Sequence, residues 1–298
     1  MIKTLRDIPG KQLSGKRVLL RVDFEVPVIR GRVENDFRIR ATLPTIQYLL
    51  KAGTRILLLT KRGHFNVSRT PAMSTRILIP RLERLLKTKI VFLKDLSELK
   101  KFEWNHTNHL FLFENLRFWK EEEANSPAFA RKFAKVADIY VSDNFGTAHR
   151  AHASVVGLPK FLPSYAGFLL EKEIESLERV IKNPTRPLVA IIGGAKIETK
   201  LPIIYAFLKL WGEVLIGGKL ADEKLRAHPL VHVPTDGPHL KGALKDIGPR
   251  TIKNYVTVLR RARTIIWNGP LGQIEKKAYS KGTEAIGRAL RSMRAFKV

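Results

Sequence analysis

Short runs of apolar residues alternate along the chain with longer segments in which apolar residues recur every three or four positions. The runs predict β-strands and the longer segments predict amphipathic helices. The predicted strands are residues 17–22, 55–59, 90–92, 110–113, 139–141, 188–192, 214–216 and 264–267. The predicted helices are residues 42–51, 74–86, 128–135, 169–181, 199–210, 250–261 and 277–293. Strands that alternate with helices in this way predict an α/β fold with parallel, doubly wound sheets.

A proline-rich segment at residues 182–187 is the best candidate for a linker between domains. Pro184 and Pro187 end the preceding helix before the next strand begins. A chain of 298 residues can bury a large core and is long enough for two domains. We therefore place the domain boundary near this segment.

The composition excludes several classes of protein. Hydrophobic residues make up 44% of the chain, which is too many for general disorder, and no apolar run approaches the length of a membrane span. The N-terminal residues have charges and no apolar core, so we see no secretory signal. The absence of cysteine excludes disulfides and thiolate metal sites. We expect a cytoplasmic protein without membrane association.

The charge is strongly basic, with 54 Lys and Arg against 27 Asp and Glu and a net charge of +27. Such a charge attracts polyanions, including nucleotides and RNA. A basic proteome or generally solvated lysines would explain it equally well.

The loop that follows the strand at 139–141 carries Asp143, His149, Arg150 and His152. Ligands of open α/β sheets bind beyond the carboxyl ends of the strands. Because arginine matches phosphate oxygens with two parallel hydrogen bonds, this loop suits a phosphorylated small molecule. The two histidines have no evident acidic or histidine partner nearby, so we predict no metal site.

Other strands in the first half also end in polar residues. Asp23 and Glu25 follow the first strand, Asp36 is a plausible cap for the helix that carries Arg38, and Arg117 follows another strand. The arginines Arg38, Arg117 and Arg150 could converge on one anion. Taken singly, each is more often a surface charge.

In the second half, the strand at 188–192 runs into Gly193-Gly194-Ala195-Lys196. Glycine lets the backbone approach a phosphate, and a helix would place Lys196 and Lys200 on one face. A tight strand-to-helix turn would need glycine in any case. Asn268 opens a Gly/Pro loop after the last strand, with Glu275 within reach of a ribose, although an ordinary turn would look the same.

Taken together and in order, these segments resemble the phosphoglycerate kinase family from about residue 16 to residue 290. The resemblance implies two Rossmann-like domains joined by a hinge helix that closes them. The predicted parts are an N-terminal 3-phosphoglycerate-binding domain (1–168), an interdomain helix and linker (169–186) and a nucleotide-binding domain (187–298). It also implies transfer of a phosphoryl group from 1,3-bisphosphoglycerate to ADP with magnesium, in glycolysis.

The resemblance assigns roles to residues at matching positions. Asp23, Arg38, Arg117 and Arg150 would hold the glycerate and its phosphate. Arg38 and Lys196 would be catalytic, because both would face the transferring group. Lys196, Lys200 and Asn268 would bind the nucleotide phosphates, and Glu275 would bind ribose.

The chain departs from the family pattern at several of these places. Glu25 stands where the family has Asn, so we expect it to repel the substrate. The family's Ser-His-Leu-Gly-Arg-Pro is here Thr60-Lys61-Arg62-Gly63-His64-Phe65, in which Arg62 is an added cation. The adenine-pocket segment is short, and no Gly-Gly-Gly-Asp magnesium loop follows residue 290. We expect slow turnover on these grounds.

The alternative is a catalytically inactive, kinase-derived scaffold that binds RNA or another polyanion. Basic residues recur every three positions in the tail, and a second cluster precedes the last strand. These residues are Arg288, Arg291, Arg294 and Lys297, and then Arg260, Arg261 and Arg263. If the last helix continued through the tail, the first four would form one solvent-facing stripe. We expect a monomer in either case.

Overall fold

The computed structural model describes residues 2–63, 68–104, 109–194, 198, 200–210, 212–217, 225, 227–240 and 243–298. The chain divides into two compact units, Met1–Glu175 and Ser176–Val298. The strands are β1 Arg17–Val22, β2 Val28–Ile29, β3 Arg32–Val33, β4 Arg55–Leu59, β5 Val91–Leu93, β6 Leu110–Phe113, β7 Ile139–Asp143, β8 Ser164–Ala166, β9 Leu188–Ile192, β10 Glu213–Ile216, β11 Val231–His232, β12 His239–Leu240, β13 Ala243–Leu244, β14 Thr264–Asn268 and β15 Phe296–Lys297. The helices are α1 Gly10–Leu13, α2 Phe37–Lys51, α3 Ile79–Leu86, α4 Leu96–Lys100, α5 Lys120–Glu123, α6 Pro127–Ala134, α7 Phe168–Lys182, α8 Leu201–Lys209, α9 Pro249–Arg261 and α10 Lys281–Arg291.

The first unit is built on a six-stranded sheet in the order β5-β6-β4-β1-β7-β8, and every pair in it is parallel. In the central strand, Leu19 lies beside Leu57 of β4 and Tyr140 of β7. The predicted parallel α/β sheet is confirmed. Because the chain returns to the same edge after each strand, the carboxyl ends of β1, β4, β6 and β7 lie together.

Helices cover both faces of this sheet, which explains why its strands are continuously apolar. Leu20 belongs to a core cluster with residues of α2 and α3, such as Ile46 and Leu82. Its neighbour Leu19 belongs to a cluster on the opposite face with residues of α4 and α6, such as Leu99 and Phe133. Successive strand residues point to opposite faces, so both need an apolar side chain.

The second unit has a five-stranded parallel sheet in the order β11-β10-β9-β14-β15. Residues of α9 and α10 pack on one face with Ile191, and α8 packs on the other face with Ile192. Asn268, at the end of β14, lies beside Ile192, at the end of β9. The loops after both strands therefore start from the same edge.

Helix α7 runs from Phe168 to Lys182 and contains the division between the units. Its bounds agree with the predicted helix within one residue at each end. The predicted domain limits at 168, 186 and 187 stay a prediction. No helix in the described part of the chain is long and apolar enough to cross a membrane.

The predicted helix at 277–293 is wrong at both ends. A 3-10 turn occupies Lys277–Tyr279, and α10 ends at Arg291. Residues Phe296–Lys297 then form β15, which pairs with β14. The ring of Phe296 packs against the buried Leu188 and Ile266, so burial and sheet pairing together draw the tail out of the helix. The basic residues of the tail thus form no helical stripe.

Candidate functional site

Polar side chains gather at the carboxyl edge of the first sheet, as the strand pattern predicts. Asp23 follows β1, Lys61 follows β4, Arg117 follows β6 and Arg150 lies in the loop after β7. Arg38 joins them from the first turn of α2, where its Nη1 lies 2.7 Å from Asp23 Oδ2. This ion pair ties the start of α2 to the end of β1.

His152 shows how closely the cations approach one another. Burial, together with four neighbouring cations, lowers the pKa of its imidazole to about 4. The four cations, in order of effect, are Arg117, Arg21, Arg150 and Lys61. Arg117 and Arg150, predicted to share an anion, therefore lie around the same histidine. His152 is uncharged at neutral pH and adds no further positive charge to the cluster.

Arg117 is nearly buried, with 8% of its side chain exposed, and its Nη1 donates to Glu123 Oε1 at 2.6 Å. The Lys61 side chain nearby is also largely buried, at 12% exposed. Burial and then Arg117 hold the pKa of Lys61 below its usual value. A concentrated positive field of this kind favours an anion with several negative charges.

Glu25 was expected to repel such an anion, and the structure gives it a partner. Its Oε1 accepts a hydrogen bond from the Gly63 amide at 3.0 Å, and its Oε2 lies 3.6 Å from Lys61 Nζ. Glu25 raises the pKa of Lys61 against the effect of burial. The two residues that replace Asn and His of the family pattern are therefore an ion pair with no net charge.

Arg62, the added cation of this segment, is buried within the loop framework. Its Nη1 donates to the carbonyl oxygens of Ala72 and Ser74, and its backbone N–H donates to Asn115 Oδ1. These bonds hold the loop after β4 against the loop after β6. The His64 that follows lies outside the described residues.

Two further carboxylates make contacts that the sequence does not show, although Asp36 lies at the predicted cap position. Asp143 Oδ1 accepts the amide N–H groups of Leu169 and Leu170, so it caps α7 and is not presented to a ligand. Burial raises the pKa of Asp143 to about 6. Asp36 occupies the N-cap position of α2 without a side-chain capping bond, because its carboxylate pairs with Arg40 and Arg81.

A buried network beneath the cations escaped the sequence analysis. Arg21 is fully buried in β1, and its Nε donates to Ser154 Oγ at 2.9 Å. The carboxylate of Glu122 accepts from both the backbone and the hydroxyl of Ser154, and its Oε1 lies 4.0 Å from His152 Nδ1. Glu122 thus lies below the cluster, and burial raises the pKa of its carboxyl group. The only signal in the sequence is Arg21 within the otherwise apolar run of residues 18–22.

In the second unit, Lys200 and Asn268 are brought together, because Lys200 Nζ donates to Asn268 Oδ1. The turns after β9 and β14 approach so closely that a Cβ on Gly193 would lie 1.9 Å from the Pro270 carbonyl oxygen. Only glycine fits there. The side chain of Glu275 is exposed and makes no hydrogen bond or ion pair with the described residues. Lys196 lies outside the described residues.

The chain matches the sequence model of the family described as Phosphoglycerate kinase over residues 5–235 and 228–298. It is 38% identical, over an alignment 343 positions long, to a phosphoglycerate kinase of Moorella thermoacetica, with coverage of 96% of this chain and 85% of that one. Among solved structures, the phosphoglycerate kinase of Pyrococcus horikoshii OT3 superposes with a TM-score of 0.85 at 28% identity, covering 99% of this chain and 87% of that one. The phosphoglycerate kinase of Coxiella burnetii gives 0.79 at 29% identity, covering 100% and 87%.

Proposed function

The chain belongs to the phosphoglycerate kinase family, and on that premise we propose that it transfers a phosphoryl group between 1,3-bisphosphoglycerate and ADP. The bond from the acyl oxygen to phosphorus breaks, and a bond from a β-phosphate oxygen of ADP to phosphorus forms. The products are 3-phosphoglycerate and ATP. Such a reaction needs little covalent chemistry from the protein and depends on positioning and on neutralising charge.

The observation that carries this proposal is the convergence of cations at the carboxyl edge of the first sheet. Arg117, Arg150 and Lys61 surround His152, and Arg38 is held beside them through Asp23. A glycerate with one phosphate and one carboxylate has two separated anionic groups. Several fixed cations in one loop cluster suit such a ligand better than a single charge would.

Within this proposal, Arg117 and Arg150 hold the phosphate end of the glycerate. Arg38 is released from Asp23, or shared with it, to face the transferring group. Because 54% of the Arg38 side chain is exposed, it can turn toward a ligand without disrupting the core. Lys61 lies beside these arginines, but its ion pair with Glu25 has no net charge.

In the second unit, Lys200 and Asn268 are proposed to bind the nucleotide phosphates, with Lys196 as a further ligand of the transferring group and Glu275 as the ribose ligand. Phosphoglycerate kinases use ADP or ATP with magnesium. The described residues contain no group of three or more acidic or histidine side chains that could hold a metal ion. The donors near β9 and β14 fit phosphate oxygens and not a metal, so we derive no step through magnesium.

A coupled assay of ATP formation from 1,3-bisphosphoglycerate and ADP tests the proposal. Arg38→Gln should lower kcat/KM by about 100-fold, since loss of one preorganised cation has an effect of this order. Arg40→Gln is a matched control: Arg40 lies one half-turn further along α2, is equally exposed at 54%, and also pairs with an aspartate. It should leave the rate within about twofold of the unchanged protein.

An activity that is equally lost in both variants would point to damage to α2 and not to a role for Arg38. No ATP formation by the unchanged protein, under conditions where a family member is active, would favour the inactive scaffold.

A further inference from the structure

A cavity of about 560 Å³ lies in the second unit between the C-terminal ends of α9 and α10. Four arginines and a set of small or apolar residues line it. The arginines are Arg260, Arg261, Arg263 and Arg294, and we call this cavity the arginine pocket. Its volume is in the range of pockets that hold small molecules.

The positive charge of the arginine pocket is mostly uncompensated. Arg261 Nη2 lies 3.6 Å from Glu213 Oε2, which His232 also contacts at 2.7 Å. Within the described part of the chain, Arg260, Arg263 and Arg294 form no ion pair, and all three are exposed. Guanidinium groups that share a cavity repel one another, so an anion there would lower the electrostatic free energy.

Helix dipoles explain only part of this arrangement. Arg260 and Arg261 lie in the last turn of α9, where a cation is favoured by the partial negative charge of the helix end. Arg263 and Arg294 lie outside both helices, in the connections to β14 and β15. Their positions come from the sheet, and the dipole does not require them.

The backbone around the arginine pocket is well anchored. The Arg263 N–H donates to the Pro187 carbonyl at 2.9 Å, and the Arg263 carbonyl accepts from Phe296 N–H at 2.9 Å. Phe296 is packed against the core two residues after Arg294. Both arginines that are not helical are thus carried by the paired edge of the sheet, which reduces the entropy lost when they bind a ligand.

The arginine pocket is separate from the proposed nucleotide site. Arg263 precedes the first residue of β14, whereas Asn268 is its last. Five residues of extended strand place the two sites roughly 15 Å apart, at opposite ends of the sheet. The apolar part of the lining, including Val256 and Met293, adds a surface on which a flat ring can pack.

We propose that the arginine pocket binds closely spaced phosphate groups, as single-stranded RNA presents them along its backbone and as free oligophosphates present them in solution. Arginine forks bind phosphate oxygens with two hydrogen bonds, and arginine planes also stack on bases. RNA is the favoured source, because the pocket combines its cations with apolar surface and the whole chain has a net charge of +27. The proposal does not depend on the kinase activity.

Binding of a fluorescently labelled ten-residue oligouridine, measured by anisotropy at several NaCl concentrations, tests this site. The test variant replaces Arg260, Arg263 and Arg294 with Gln. The control replaces three exposed lysines of the same unit that do not line the cavity, namely Lys209, Lys253 and Lys281, also with Gln. Both variants lose three positive charges, and they differ in where the charges lie and in whether arginine or lysine is replaced.

The arginine variant should bind at least tenfold more weakly than the unchanged protein at low salt. The slope of log K against log salt should become shallower by about 2, since each phosphate contact in a single strand contributes about 0.7. The lysine variant should stay within about threefold, and both variants should keep kinase activity and melting temperature. Competition with inorganic tripolyphosphate distinguishes RNA from free oligophosphates as the source of the phosphate groups. Displacement of the labelled RNA by micromolar tripolyphosphate supports a site for free oligophosphates. Displacement by unlabelled RNA alone supports a site for single-stranded RNA.

Equal weakening in the two variants would overturn the proposal, because binding would then follow net charge alone. Absence of binding by the unchanged protein at low salt, for both RNA and tripolyphosphate, would overturn it as well.

Discussion

Removal of Glu25 and removal of Lys61, the two members of one ion pair, should change the affinity for 3-phosphoglycerate in opposite directions. Removal of Glu25 leaves an uncompensated Lys61 among other cations, and removal of Lys61 leaves an uncompensated carboxylate where a substrate anion is proposed to bind. Glu25→Gln should therefore strengthen binding of 3-phosphoglycerate, and Lys61→Met should weaken it. The double variant restores the original net charge and should bind nearly as the unchanged protein does.

The distance between the two groups sets the magnitude. At 3.6 Å the attraction between unit charges is about 1 kcal/mol in a water-like medium and about 5 kcal/mol at an effective dielectric constant of 20. Because 34% of the Glu25 side chain is exposed, solvent screening places the net coupling near the lower figure, at about 1–2 kcal/mol. The corresponding change in Kd for either single variant is roughly five- to thirtyfold.

Two measurements on the same four proteins check this reasoning. Calorimetric titration with 3-phosphoglycerate gives the change in Kd, and urea denaturation gives the free energy of unfolding. Each single variant should be destabilised, because each leaves one partly buried charge without its partner. The double variant should recover about 1–2 kcal/mol relative to the sum of the two single changes.

Weaker or unchanged binding in Glu25→Gln would refute the electrostatic argument. If the two changes were additive in both binding and stability, the ion pair itself would have no energetic role. Binding that is lost in all three variants would instead show that the loop after β4 had lost its shape.

Other predictions follow from burial and from close packing. In the folded protein Asp143 keeps its proton up to about pH 6 and the unfolded chain releases it near pH 4, so this group lowers the free energy of unfolding as pH rises through that window. His152 has the opposite effect, because it protonates near pH 4 when folded and near pH 6.5 when unfolded. The free energy of unfolding should therefore be measured between pH 4 and 6.5. With rising pH it should increase more steeply for Asp143→Asn than for the unchanged protein, and it should increase less, or fall, for His152→Gln, by up to about 3 kcal/mol each. Parallel curves would contradict both pKa shifts. Gly193→Ala should destabilise the second unit by about 2 kcal/mol or more, since its methyl group would overlap a backbone carbonyl. Gly287→Ala, in α10, should be neutral or stabilising by about 0.5–1 kcal/mol, because the new Cβ would lie 3.9 Å from the Trp267 ring, an ordinary van der Waals contact. Equal thermal shifts in these two variants would exclude the packing argument. Lys200→Ala should weaken ADP binding and leave 3-phosphoglycerate binding unchanged in calorimetry, and an equal effect on both ligands would count against its assignment.

The sheets could be predicted from the sequence because burial on both faces leaves little freedom in residue type. Strands β1, β4, β6 and β9 begin and end where their apolar runs do. The edges of other elements are harder to predict: the apolar periodicity of α2 begins only at residue 42, and the capping residue Asp36 alone indicates that the helix starts at Phe37. At a helix start the polar residues of the first turn have no period, and capping contacts with distant residues decide the boundary.

The candidate site, too, could be predicted from the sequence only in part. Side chains at strand ends, such as Arg117 and Arg150, could be placed together because parallel strands bring their carboxyl ends to one edge. What each charge contacts could not be predicted. The sequence predicts that Glu25 repels an anion, and only the loop after β4 brings Lys61 within 3.6 Å of it.

By itself, the sequence determined the parallel α/β architecture and the family. The architecture follows from apolar runs and helical periodicity, and the family follows from motifs, and each of these lies within a continuous segment of the chain. Only the tertiary structure decided which charges are compensated and where the tail goes. Arg21 and Glu122 are 101 positions apart and meet through Ser154, and Phe296 leaves the helix register to join the edge of a sheet. Both outcomes depend on contacts between residues that are distant in sequence, and the energies of such contacts outweigh local preference for helix or for solvent.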